Sequence, residues 1–336
     1  MNRKRWIALA IAGVLFLLSA LMSFVTSLIS NDFGEWSETF LAGVDQEFGE
    51  EVIDEGNEFK KVVVLEVNGV IQETDEVSSV FESPSYNHAT FLKMIEQAKS
   101  DDTVKAIVLR VNSPGGGVVE SAEIHRKLSE LKETTKKPVY VSMGAMAASG
   151  GYYISTVADK IFASPETITG SLGVIMQSIN YEGLAKKYGV ELVTIKSGPY
   201  KDIMNPARKM TEEERKILQS LINNSYNGFV RVISQGRNMP EAEVRKIADG
   251  RIYDGRQAKE LNLIDEFGFL SDVIGAIKSD YNLKDAQVVK YTNEFGFSSL
   301  FKVTANPIQK DHAEALEIVR LFSQPNSPRL MYLYAE

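Results

Sequence analysis

The chain has 336 residues, a formal net charge of −8 and no cysteine. That length exceeds a usual single domain and leaves room for one large domain with appendages. The acidic balance, with no basic patch after the first few residues, argues against a nucleic-acid partner, and the lack of cysteine excludes disulfides, zinc-thiolate sites and a thiol nucleophile.

In chain order, Asn2-Arg3-Lys4-Arg5 precedes an uncharged apolar run over residues 6–29. The run meets the ~20 residues that a bilayer-spanning helix needs and exceeds the ~7–15 of a cleaved signal peptide. Arg3, Lys4 and Arg5 before it, against Asp32, Glu35 and Glu38 after it, put the N-terminus in the cytoplasm and the remainder outside. The expectation is a cytoplasmic stub and uncleaved transmembrane helix over 1–30. Residues 31–59 are acidic and contain Gly34, Gly43, Gly49 and Gly56, a composition that buries little apolar surface and predicts a solvated stalk.

Val62-Val63-Val64-Leu65 opens a strand that runs into an Asn68-Gly69 turn. Thr90 to Ala98, a strand from Val104, a helix from Val118, a strand from Val139, a helix after Ser149 and strands at residues 160–163 and 190–196 follow. This alternation predicts an α/β domain with parallel strands over residues 60–274. Thr211-Glu212-Glu213-Glu214 has the form of a capping box, and Ile217, Leu221, Phe229 and Ile233 continue one apolar stripe to Gly236, predicting a long amphipathic helix. Residues 275–336 form a C-terminal extension. Pro325, Ser327 and Pro328 in it break any helix and release an apolar tail from Arg329 to Glu336.

Two small-residue runs carry the chemistry. Ala147-Ala148-Ser149-Gly150-Gly151 sets one serine at a strand-to-helix turn, where a peptide can approach closely and the Gly150 N–H points at a developing oxyanion. A plain helix N-cap would use the same residue type. Upstream, the strand at Val104 empties into Asn112-Ser113-Pro114-Gly115-Gly116-Gly117, where glycines let the backbone come close to a ligand. Asn-Ser-Pro-Gly-Gly followed by Ala-Ala-Ser resembles the Clp protease proteolytic subunit and the crotonase-like fold. The longer string from Ala147 to Ser155, Thr169-Gly170-Ser171-Leu172-Gly173-Val174, and Ser197-Gly198-Pro199-Tyr200-Lys201-Asp202 are more similar still to the signal peptide peptidase SppA family in its short, single-module form. The resemblance spans residues 60–274 and implies repeated ββα units behind the N-terminal transmembrane helix.

A serine nucleophile needs a base. The histidines are His88, His125 and His312, and none falls between Ser149 and Asp311, so a Ser-His-Asp triad is disfavoured; His125 reads as an exposed helix residue. Lysine can serve where burial or cationic neighbours favour its neutral form. The resemblance maps the nucleophile onto Ser149, the base onto Lys201, the oxyanion donors onto the N–H groups of Gly116 and Gly150, and a lysine-orienting hydroxyl onto Ser171. No motif indicates a metal or another cofactor: the run Gly115 to Gly117 lacks the Lys-Ser/Thr ending of a P-loop.

What the resemblance implies is a bacterial cell-membrane serine endopeptidase that uses a Ser149/Lys201 dyad to degrade remnant signal peptides and other short apolar peptides outside the cytoplasm. It also implies a ring-like homo-oligomer, an octamer, whose active sites are shared between neighbouring subunits. The rival readings are a non-catalytic crotonase-like scaffold that binds peptides at the membrane, and a crotonase-type acyl-thioester enzyme. Extended and apolar, the tail beyond Pro328 resembles a substrate of such a protease, and the expectation is that it lies in its own or a neighbour's cleft or packs as an edge strand.

Overall fold

The computed structural model describes residues 48–73, 86–292 and 330–334. All but Phe48 and Gly49 belong to the compact unit Glu50–Glu336. Among the described residues no helix is long and apolar enough to cross a membrane; the span expected over residues 6–29, like most of the stalk, lies outside them.

Val62, Val63, Val64, Leu65 and Val67 are almost wholly excluded from solvent. Burial of consecutive residues means that both faces are covered, the mark of an interior parallel strand. This strand, β2 (Asn57–Asn68), pairs in parallel with β3 (Val104–Ser113), and β3 with β5 (Val139–Ala148), with Leu65 level with Leu109 and Leu109 with Val141. Beyond β5 come β6 (Lys160–Ala163) and β9 (Glu266–Phe267); beyond β2 come β10 (Ala286–Thr292) and β1 (Gly49–Asp54). The order is β1-β10-β2-β3-β5-β6-β9, parallel from β10 to β9. The sheet thus takes in β1 and β10, which lie outside residues 60–274. On β1, at the sheet edge, Glu51 and Asp54 are exposed and Glu50 pairs with Lys61 at 2.7 Å, which is how part of an acidic "stalk" can be a strand.

Helices cover the sheet. On one face α8 (Leu270–Asp280) buries Val273, Ile274 and Ile277 against Val62, Val64, Ala106, Val108 and Tyr140. α1 (His88–Ser100) packs on β2 and β3, and α2 (Val118–Thr135) packs on α1. The α1 N-terminus is capped by Asn87, whose Oδ1 accepts the Thr90 N–H at 2.8 Å. α5 (Glu212–Gly236) begins in the expected capping box, with Thr211 Oγ1 accepting the Glu214 N–H and Glu214 Oε2 accepting the Thr211 N–H.

The strand expected at residues 190–196 does not form. Val190, Leu192, Val193 and Ile195 follow the short helix α4 (Glu182–Lys187) without a ladder partner and lie in solvent, Ile195 at 97% exposure. β-branched content favours a strand only where an edge is available to pair with, and no strand among the described residues pairs with them.

Candidate active site

The carboxyl ends of β3 and β5 lie side by side, with Ser113 level with Ala147. From β3 the chain turns at Pro114 into β4 (Gly115–Gly117). Gly115 has φ +103°, a conformation costly for a residue with a Cβ. Behind β4, Ile71 fixes the strand: its N–H donates to the Gly115 carbonyl at 2.8 Å, and its own carbonyl accepts the Gly117 N–H at 2.7 Å.

From β5 the chain reaches Ser149 and turns at once into α3 (Gly150–Ser155). Ser149 has φ +52° and ψ −113°, well outside the regions a serine ordinarily occupies. Strain of this kind is worth ~1–3 kcal/mol and persists where the surroundings impose it. The surroundings here are β7 (Ile168–Gly170), paired with the end of β5, whose Gly170 carbonyl accepts the Ser149 N–H at 2.8 Å. A capping serine would spend its hydroxyl on an N–H of the first turn. Ser149 Oγ is buried and bonds to nothing among the described residues. The plain N-cap therefore does not account for this serine.

Gly116 and Gly150 lie close together. A methyl group added to Gly150 would lie 3.1 Å from the Gly116 nitrogen, and one added to Gly115 would lie 2.6 Å from the Gly150 nitrogen. The same methyl on Gly115 would collide with a third group, the carbonyl oxygen of Tyr332. The tail strand β11 (Met331–Leu333) runs antiparallel to β4, with Tyr332 opposite Gly116. Its flanking bonds are Val118 N–H to the Leu330 carbonyl and Tyr334 N–H to the Pro114 carbonyl. On the other side Met331 exchanges two 3.0 Å backbone bonds with Ile175. The tail is thus held as an extended peptide between β4 and the isolated bridge at Ile175, its Tyr332 carbonyl beside Gly115 and near the Gly150 nitrogen.

Alternate tail side chains go to opposite sides, as a strand requires. The Tyr332 ring stacks on Tyr153, with centroids 5.1 Å apart, and tilts against Phe229 at 4.6 Å; its hydroxyl donates to the Ser225 carbonyl at 3.0 Å. Burial pushes the phenols of Tyr153 and Tyr332 up, so both rings stay neutral. Leu333 instead lines a cavity of about 430 Å³ together with Ser171, Ile175, Ile222 and Tyr226. Ser171 has φ +50° and donates its N–H to the Arg251 carbonyl at 2.7 Å.

Lys201 stands apart. It follows a turn closed by its own N–H to the Gly198 carbonyl at 3.3 Å, and its side chain is exposed, with no hydrogen bond or ion pair among the described residues. As Ser149 Oγ also has no partner, the two groups are not joined within one chain.

The histidines divide. His88 is buried between Tyr86 and Glu123, His312 lies outside the described residues, and neither His88 nor His125 bonds Ser149. His125 is not the exposed residue expected: it meets the ring of Tyr153 edge-on at 5.4 Å, and burial and the charge of Lys132 push it down to about 4. The walls of the tyrosine pocket were missed in the sequence. Tyr153 falls one turn after Ser149, which is a usable signal, whereas Phe229 reads only as one more apolar residue of α5.

Residues 131–284 match the model of Peptidase family S49. The chain is 44% identical to the "Putative signal peptide peptidase SppA" of Enterococcus faecium, over 89% of this chain and 88% of that one. It is 33% identical to Protease 4 of Haemophilus influenzae, over 82% of this chain and 46% of the relative. It is also 33% identical to the chloroplastic serine protease SPPA of Arabidopsis thaliana, over 57% and 28% respectively.

Proposed function

The chain is a serine protease of peptidase family S49, the family of signal peptide peptidase SppA, and from that premise we propose a membrane-anchored endopeptidase that degrades remnant signal peptides and other short apolar peptides outside the cytoplasm. The observation that supports this reading is the position of Tyr332: an extended apolar peptide lies along Gly115–Gly117, opposite Gly116 and with its carbonyl close to Gly115, whose added Cβ would also meet the Gly150 nitrogen. A substrate bound the same way presents its scissile carbonyl to the serine.

In the proposed reaction Ser149 Oγ attacks that carbonyl carbon while Lys201, as a neutral amine, takes the hydroxyl proton. The N–H groups of Gly116 and Gly150 stabilise the oxyanion. Collapse expels the leaving amine, which receives the proton from the lysine, and water then hydrolyses the acyl-enzyme by the same route in reverse. Ser171 orients the lysine. Because Lys201 of the same chain does not reach Ser149, it comes from a neighbouring copy, in a crotonase-like ring assembly. In support, the lysine loop follows the exposed apolar residues Val190, Leu192, Val193 and Ile195, a patch of the kind that marks an interface.

The test is labelling of detergent-extracted full-length protein with a fluorophosphonate probe, beside hydrolysis of a short apolar peptide. Labelling and hydrolysis are expected in the wild type. Both should be lost in Ser149→Ala, and hydrolysis lost in Lys201→Ala, with the oligomer intact. Near-normal turnover by either variant refutes the dyad.

A further inference from the structure

The loop that bears Lys201 receives the Tyr181 N–H at the Pro206 carbonyl and Asn180 Nδ2 at the Arg208 carbonyl, both at 2.8 Å, and the Arg208 side chain ties it to α5. All five N–H donors of that side chain are committed. Nε and Nη2 donate to the Asp202 carboxylate at 2.9 and 2.8 Å, and Nη2 also to the Asp202 carbonyl at 3.0 Å. Nη1 and Nη2 donate to the two Glu214 oxygens at 2.9 and 2.5 Å, and Nη1 to the Lys209 carbonyl at 3.1 Å. Glu214 is 1% exposed and is the acidic member of the capping box that starts α5. Asp202 further accepts from Lys196 at 2.6 Å and from Asn205 at 3.4 Å.

Two consequences follow. Planar forks to two carboxylates, one of them buried, fix geometry in a way that a single exposed ion pair does not, so the residue bonded to Lys201 is pinned to the first turn of α5. And Asp202, saturated by Arg208 and Lys196, is not available to hold its neighbour Lys201 as an ion pair; the lysine emerges from an anchored loop with its amine unclaimed. The helix that takes the anchor also carries Ser225 and Phe229 of the tyrosine pocket.

We infer that Arg208 is a positioning residue for the peptidase reaction: it holds the 196–208 loop so that Lys201 is presented, unpaired, to the Ser149 of another copy. The inference rests on the shared-site reading above, and the test separates the two. Full-length Ser149→Ala and Lys201→Ala copies, each inactive alone, are co-expressed with different tags, and mixed oligomers are purified in detergent. Regained hydrolysis establishes the shared site; its absence refutes that reading. Arg208→Met is then added to one partner at a time. In the copy that supplies the lysine it should lower turnover at least about tenfold, since misplacement of a reacting group by ~1 Å costs up to ~100-fold. In the copy that supplies the serine, where the lysine is already absent, the mixture should retain its parent activity, which also shows that the variant folds and assembles. Equal loss in both arms, or loss in neither, overturns the inference. Independently of sharing, homogeneous Arg208→Met should lose kcat by a similar factor with KM within about twofold; a change confined to KM overturns it as well.

Discussion

Tyr332, four residues before Glu336, lies opposite Gly116 in an antiparallel pair, so that the tail occupies the glycine strand next to Gly150. A tethered peptide acts at high effective concentration, in the ~mM range for a flexible link, and competes with any free peptide for the same strand. Truncation after Gln324 should therefore raise kcat/KM for a short apolar peptide several-fold, by lowering KM. If the tail is also a substrate, the wild-type C-terminus should be trimmed near Tyr332, and that of Ser149→Ala should be intact by mass. Unchanged kinetics together with an untrimmed wild type would remove the idea.

Much of this site is legible in the residues. Ser149 and the run Gly115 to Gly117 announce themselves because small residues at a strand end are needed for close approach, and their meeting follows from the adjacency of two parallel strands, β3 and β5. The pocket of Tyr153 and Phe229 is not legible, since an aromatic in an apolar stripe has the same pattern whether it faces a core or a ligand. Nor is the separation of Lys201 from Ser149: local sequence gives the loop, not the distance. Residues 190–196 form no strand for a related reason, because a strand is a property of two segments and no segment among the described residues pairs with them. The arginine knot around Arg208 went unseen because Asp202, Arg208 and Glu214 look like ordinary surface charges until the loop folds onto α5.

Glycine at 115 is required twice, for its φ of +103° and for the absence of a side chain facing the Tyr332 carbonyl and the Gly150 nitrogen. Gly115→Ala should lower kcat/KM by ~10²-fold or more, about the effect of losing one oxyanion donor. The backbone strain adds ~1 kcal/mol or more of destabilisation. Circular dichroism melts beside peptide kinetics check both; full activity in a folded variant would mean that β4 does not line the site.

The pocket around Tyr332 makes a prediction about substrates. Stacking on Tyr153 and Phe229 is worth ~0.5–1.5 kcal/mol per ring pair, and the Ser225 carbonyl accepts a hydroxyl at 3.0 Å. Peptides with tyrosine before the scissile bond should be cleaved faster than those with alanine, by roughly 10- to 100-fold, and Phe229→Ala should shrink that preference. An unchanged tyrosine-to-alanine ratio in Phe229→Ala would exclude this pocket from recognition.

On the proposed anchored topology, detergent-extracted protein should retain residues 1–31, since the apolar run over 6–29 exceeds the ~7–15 residues of a cleaved signal and follows Arg3, Lys4 and Arg5. N-terminal sequencing decides it. A mature terminus near Phe33 would overturn the anchor.

The last prediction concerns acid. His125 stands edge-on to Tyr153 at 5.4 Å, near Lys132, Glu133 and Ser129 around a neighbouring groove, and burial followed by the Lys132 charge pushes it down to about 4. In the unfolded chain a histidine protonates near ~6.5. Between these values the unfolded state binds the extra proton and the native state does not, so stability is full above ~6.5 and declines as pH falls toward 4. The shift corresponds to on the order of 3 kcal/mol if it is fully expressed. His125→Gln, which has no proton to gain, should flatten the fall in melting temperature between pH 6.5 and 4 relative to wild type. Because Tyr153 forms one wall of the tyrosine pocket, wild type should also lose its preference for tyrosine peptides as His125 gains charge, and His125→Gln should keep it. Parallel melting curves for the two proteins over that window would show that His125 takes up its proton over the same pH range in the native and unfolded states and would detach it from both effects.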